Sequence, residues 1–246
     1  MNLIKIKHPK SFWSHVRKQA SYLAEESKVA HKHISYFNPD VLLLEQSHQD
    51  FSAKMKSFSA GTEYANFNEF LNDDAIEFKE NGEGVTYVVW NVEYDENNEE
   101  IGRDIISFYT LAANAIPYED RIRLDEEEAR ETGQDYDIEI CGISVIEIKM
   151  FAVAERYQDF FFEYEGEDLP ISAWIMRNII DYANSLTNDV IGFKALFLHS
   201  LPEAEEFYIK NGFHELEKNM RPLHCVDSEY RGMYFSLKDI HMNYED

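Results

Sequence analysis

The stretch that most constrains the fold is 143–198, which reads as strand, helix, strand. The first strand, 143–153 (ISVIEIKMFAV), alternates in its first half. Val145, Glu147 and Lys149 fall on one side, and Ile146, Ile148 and Met150 on the other. Its end, MFAV at 150–153, is continuously apolar, as expected of a strand covered on both faces. A helix is expected from Ile171 to about Leu186, with Ile171, Ile175, Ile179 and Tyr182 in register. The segment 190–198 (VIGFKALFL) reads as the second strand. A crossover of this length joins parallel neighbours with a right-handed turn.

The preceding chain supplies antiparallel strands. NFNEFLNDDAIEF at 66–78 is expected to be a helix, with Phe67, Phe70, Leu71 and Ile76 on one face. NGEG at 81–84 is a turn, 85–90 a strand, 94–100 a polar hairpin tip and 105–111 the returning strand. Residues 118–137 are acidic and read as a solvated loop or helix. After 198, Pro202 opens a helix over 203–210 that stops at Asn211 and Gly212, and MYFSL at 233–237 is a last strand. The expected architecture is α/β (α+β): one mixed central sheet with helices on both faces.

Charge divides the chain. There are 23 Lys and Arg against 47 Asp and Glu, a net charge of −24. Residues 1–50 nevertheless carry seven basic and five acidic side chains. This change of sign sets off residues 1–50 as an N-terminal helical extension, with a helix expected over 10–35, from a main domain over 51–246. The extension is expected to dock on the body or on a second copy of the chain, giving a homodimer. The acidity disfavours nucleic acid and suits a cationic partner. No apolar run is long enough for a membrane span or a signal peptide, and Cys141 and Cys225 form no CxxC. A cytoplasmic protein without a metal site is expected. His31 and His33 lack the acidic or thiol companions that a metal site needs.

Several motifs, in order, resemble the GNAT N-acetyltransferase family. FYIKNGF at 207–213, preceded by Ala204, resembles the A-x-x-F-Y-x-x-x-G-F signature late in that family. The strand 105–111 and the run FAVAERYQ at 151–158 look like the family's central strands and the start of its pyrophosphate loop. NEFL at 68–71 followed by Ala75, with the closing MYFSL, is similar to the toxin-like, phage- or plasmid-borne branch. The resemblance covers most of 51–237.

It implies a sheet that splays open between the parallel strands 143–153 and 190–198. Acetyl-CoA is the implied co-substrate, its pantetheine held by backbone groups of Phe151, Ala152 and Val153. Tyr208 matches the family's general acid, and a backbone N–H near Val153 is a candidate oxyanion donor. Glu147 is the nearest acidic residue to serve as general base. The family's glycine-rich pyrophosphate loop is missing here. Gln158 is followed by Asp159 and three phenylalanines, and the loop is about eight residues longer before the helix. Two accounts stand. Either the longer loop folds outward and Ile171, Ser172 and Ala173 bind phosphate through their N–H groups, or the chain keeps the fold without using CoA.

The implied activity is acetyl transfer to a primary amine, small or protein-borne and cationic in character. An aminoacyl-tRNA acceptor, which the toxin-like branch implies, is opposed by the charge. The alternative is a non-catalytic interaction protein whose acidity mimics nucleic acid.

Overall fold

A computed structural model describes residues 32–34, 36–164, 166–221 and 230–238. Its main sheet has seven strands in the order β2-β3-β4-β5-β8-β10-β9. These are β2 (Pro39–Leu43), β3 (Val85–Tyr94), β4 (Glu100–Arg123), β5 (Tyr136–Val153), β8 (Ala195–Ser200), β9 (His214–Glu215) and β10 (Arg231–Ser236). The β5–β8 pair is parallel and every other pair in this sheet is antiparallel. A smaller sheet joins β1 (Lys32–His33), β6 (Phe160–Tyr164) and β7 (Glu167–Pro170).

The crossover helix α5 (Ile171–Asp189) follows the expected periodicity. Ile171, Ile175 and Ile179 are fully buried against Ile146, Ile148, Leu196 and Leu198. Each such side chain contributes roughly 1.5–3 kcal/mol by leaving water. The opposite face carries α1 (Leu44–Met55), α2 (Ala65–Glu69) and α3 (Ala75–Glu80), packed through Leu44, Met55, Phe70 and Leu71 onto Val88, Trp90 and Phe108. Helices therefore cover both faces of a mixed sheet, as expected.

The structure corrects several local expectations. The helix expected over 66–78 contains a π-turn at Phe70–Asp74. That wider turn rotates the next helical segment, so Ala75 is buried and Ile76 is exposed. The acidic segment 118–137 consists mostly of the outer ends of β4 and β5, paired from Tyr118↔Cys141 to Arg123↔Tyr136. Only α4 (Glu126–Thr132) is helical, closed by a capping box between Asp125 and Glu128. The second parallel strand begins at Ala195 rather than 190, and Val190 and Ile191 are exposed.

The helix expected over 10–35 lies outside the described residues, except that Lys32–His33 is a strand parallel to β6. The boundary expected at residue 50 falls inside α1. Ahead of it, β2 pairs with β3 and Leu44 is buried in the core, so 39–50 are built into the sheet and its helical layer.

Candidate active site

The sheet opens where β5 and β8 part. Their ladder runs from Val145↔Ala195 to Ile148↔Leu198 and stops. Beyond it, β5 continues to Val153 paired with β4 alone. The separation begins at a bulge. Thr110 pairs with Met150 and Leu111 with Ile148, which leaves Lys149 without an opposite residue. A bulge bends its strand and increases the local twist. It also reverses the parity of the side chains. Before it, Ile146 and Ile148 pack towards α5; after it, Val153 and Phe151 do, while Ala152 and Met150 pack towards the α1–α3 layer. The gap is a cleft of about 1020 Å³, lined by 147–153 of β5 and by Leu198 and His199 of β8.

The backbone along this edge can be assigned from the ladder. Ala154 N–H donates to the Ile106 carbonyl at 2.7 Å, and Ser107 Oγ donates to the Ala152 carbonyl at 2.7 Å. Even-numbered residues therefore face β4, and the N–H and C=O groups of Phe151 and Val153 face the cleft. Of the three residues expected to offer backbone groups, Ala152 offers only its side-chain surface. The Val153 carbonyl accepts from Gln158 Nε2 at 3.1 Å, and Gln158 Nε2 also donates to the Ala60 carbonyl at 3.1 Å. Gln158 lines the cleft with its amide nitrogen already engaged.

At the other end of the cleft stands the N-terminus of α5. Pro170 occupies the N-cap and no side chain caps the helix. Among the described residues, the first amides, of Ile171, Ser172 and Ala173, have no side-chain acceptor, and Ser172 lines the cleft. The extra residues before this helix fold into the β6–β7 hairpin. Phe162 anchors it, its ring centroid 4.3 Å from Phe37. His33 reaches Asp168 at 3.4 Å. None of Asp159, Glu163, Glu167 and Asp168 lines the cleft. Of the two accounts, the hairpin follows the one in which the long loop folds outward. These features fit a CoA thioester: an open strand edge for the amide-bearing arm and unclaimed helix amides for phosphate.

Tyr208 lies on α6 (Glu205–Lys210) and borders the cleft. Burial alone pushes its phenol above the ordinary range, so the group stays neutral and protonated. The helix ends in a turn at Gly212, whose φ of +88° favours glycine, and Phe213 N–H returns to the Tyr208 carbonyl at 3.0 Å. Phe207 stacks on Phe151 with centroids 5.9 Å apart, which ties α6 to the open edge of β5.

Glu147 is 4% exposed. Its Oε2 accepts from Asn114 Nδ2 at 2.6 Å and lies 2.9 Å from Lys149 Nζ. Its Oε1 lies 3.8 Å from His199 Nδ1. Burial raises the carboxyl's pKa, but His199, Lys149 and Asn114 outweigh burial and hold it down at about 2. His199 escaped the sequence reading. The signal was strand parity: with Leu196 and Leu198 facing α5, Phe197 and His199 must share the face of Glu147. At the mouth, Tyr64 Oη donates to Glu203 Oε1 at 3.1 Å beside Glu63. Lys149 is the one lysine or arginine lining the cleft among the described residues, and Glu147 neutralises it.

This splayed mixed sheet is the fold of the GNAT acetyltransferases. A tyrosine-to-phenylalanine mutant of the AtaT toxin matches with a TM-score of 0.52 at 16% identity, over 86% of this chain and 96% of that one. AtaTR bound with AcCoA matches at 0.52 and 17% identity, over 83% and 95%. A tyrosine-to-phenylalanine mutant of KacT matches at 0.51 and 14% identity, over 81% and 95%. No family model and no curated protein matches the sequence. At these identities the likeness establishes the fold.

Proposed function

We propose that the protein is an acetyl-CoA-dependent N-acetyltransferase acting on a primary amine of cationic character. The observation that carries this reading is a neutral, buried tyrosine beside a strand edge with unpaired backbone groups. The pantetheine arm extends β5 along Phe151 and Val153. The phosphates lie at the amides of Ile171, Ser172 and Ala173, with the Ser172 hydroxyl beside them. One similar structure is bound with AcCoA, which makes acetyl-CoA the donor of choice.

In the reaction, the amine nitrogen attacks the thioester carbonyl. The C–N bond forms, the oxyanion takes a hydrogen bond from the Val153 N–H, the C–S bond breaks and Tyr208 protonates the thiolate. With its pKa near 2, Glu147 is ionised at neutral pH but binds a proton weakly, so its part is to hold its neighbours in place. Glu63 and Glu203 at the mouth favour a positively charged acceptor.

A thermal-shift titration with acetyl-CoA tests donor binding. Saturation to about 100 times Kd adds roughly 2.7 kcal/mol of stability and raises Tm. No shift at millimolar acetyl-CoA moves the reading to the non-catalytic interaction protein. Mass spectrometry of spermidine, a lysine-rich peptide and aminoacyl-tRNA then identifies the acceptor. The tRNA belongs in that panel because the toxin-like branch that the sequence motifs resemble implies such an acceptor.

A further inference from the structure

His199 occupies the point at which the sheet opens. It is the first residue of β8 beyond the last β5–β8 pair, Ile148↔Leu198, and it lines the cleft. Its ring packs edge-on against Phe197, with centroids 4.8 Å apart, which keeps it on the face opposite α5. Tyr208 approaches from the α5 side. The two side chains thus flank the gap from opposite faces of the sheet. Its Nδ1 faces Glu147 Oε1 at 3.8 Å, while its Nε2 is buried and has no hydrogen-bond partner among the described residues. Buried polar atoms are nearly always partnered, so an unpartnered nitrogen in a reactive cleft calls for a ligand that supplies the missing contact.

Resting on the acetyl-transfer reading, we propose that His199 is the general base, taking a proton from the acceptor's ammonium at Nε2, and that Glu147 positions it. Glu147 fixes the tautomer with the proton on Nδ1 and stabilises the imidazolium once it forms. The distance of 3.8 Å closes to a hydrogen bond when the ring becomes charged. Proton accounting is complete. The ammonium loses one proton to His199, which releases it to solvent. The freed amine forms the C–N bond. Tyr208 gives its proton to the departing thiolate and is restored by the second proton leaving the new amide nitrogen.

The other ionisable groups that share the cleft set the sign of the pH effects. Glu147 and Lys149 come from β5, Glu63 and Tyr64 from the turn before α2, and Glu203, Tyr208 and Tyr230 from the segments flanking β8 and β10. Glu147 is the carboxylate facing the ring, and Lys149 pairs with that carboxylate's other oxygen.

The test uses the full chain, acetyl-CoA and the amine panel above, with kcat/KM followed across pH. His199→Gln should lower kcat/KM by about 10²–10³-fold near neutrality and abolish the acid limb of the profile, while the acetyl-CoA thermal shift is retained. Glu147→Gln should cost less and keep the acid limb. A His199→Gln variant within threefold of wild type, or one reduced equally at every pH, overturns the proposal, as does a Glu147→Gln variant that loses the acid limb. Absence of wild-type turnover with every amine, with no acetyl-CoA shift, overturns the acetyl-transfer reading itself. If acetyl-CoA binds but none of the amines turns over, nitrogen-15 NMR of the His199 ring decides. A proton on Nδ1 in wild type that is lost from that site in Glu147→Gln supports the dyad, and a proton on Nε2 overturns it.

Discussion

The cleft has two ends built on different physics. At the splay, its shape comes from the sheet: one unpaired residue, Lys149, turns β5 away from β8, and the neutral Tyr208 stands beside the opening. At the helix end, its character comes from α5, whose first amides have no side-chain cap among the described residues. The splay keeps the buried tyrosine and an open strand edge at Phe151 and Val153, while the Ala152 backbone turns to β4. The helix end has lost its glycines and gained a hairpin of acidic residues, yet the helix terminus itself is intact. In the proposed function, recognition of the thioester and recognition of phosphate fall to separate elements, so that a chain can alter one while preserving the other.

Four experiments probe this contrast. The largest effect is expected at the splay. Tyr208→Phe should reduce kcat by about 10²–10³-fold with the Kd for acetyl-CoA unchanged by calorimetry, and full turnover would remove the phenol from the chemistry. Next comes Glu147. Its folded pKa of about 2 lies below the 4.5 of an unperturbed glutamate, so its stabilisation is complete above pH 4.5 and fades as pH falls through 2. Acid unfolding of wild type should show a loss of up to about 3 kcal/mol across that window, and Glu147→Gln should lack it.

The helix end should matter less. Acetyl-CoA should exceed acetyl-pantetheine in kcat/KM by only about tenfold, because a lone helix terminus contributes roughly 1–2 kcal/mol. A preference of thousands would show that the hairpin has rebuilt a full phosphate site. The smallest effect is expected for Ser172→Ala, which removes one hydroxyl and should raise the KM for acetyl-CoA by about two- to tenfold.

The parts of the fold that could be read in advance were those with one-sided or two-sided burial. Ile171, Ile175 and Ile179 announced the crossover helix because they form one stripe that is fully buried. The run at 150–153 announced the covered end of β5. The outer halves of β4 and β5 gave no such signal. Tyr118 still packs on a small core cluster, but beyond it the two strands run out into water, with Ile138 and Ile140 58% and 73% exposed, so no alternation marks them as strands. Tyr208 and Glu147 both line the cleft; the FYIKNGF motif singled out the first, and a place on the central strand the second. His199 required the β5–β8 register, a relation between segments some fifty residues apart that periodicity does not encode.

The bulge at Lys149 has a consequence for how this chain can vary. Because it exchanges the inner and outer sides of everything up to Val153, the distance in residues between Ile148 and Ala154 matters more than the identity of the side chains. Apolar replacements there leave the groove in place. A deletion or insertion of one residue turns the segment inside out and hides the edge proposed to receive the donor.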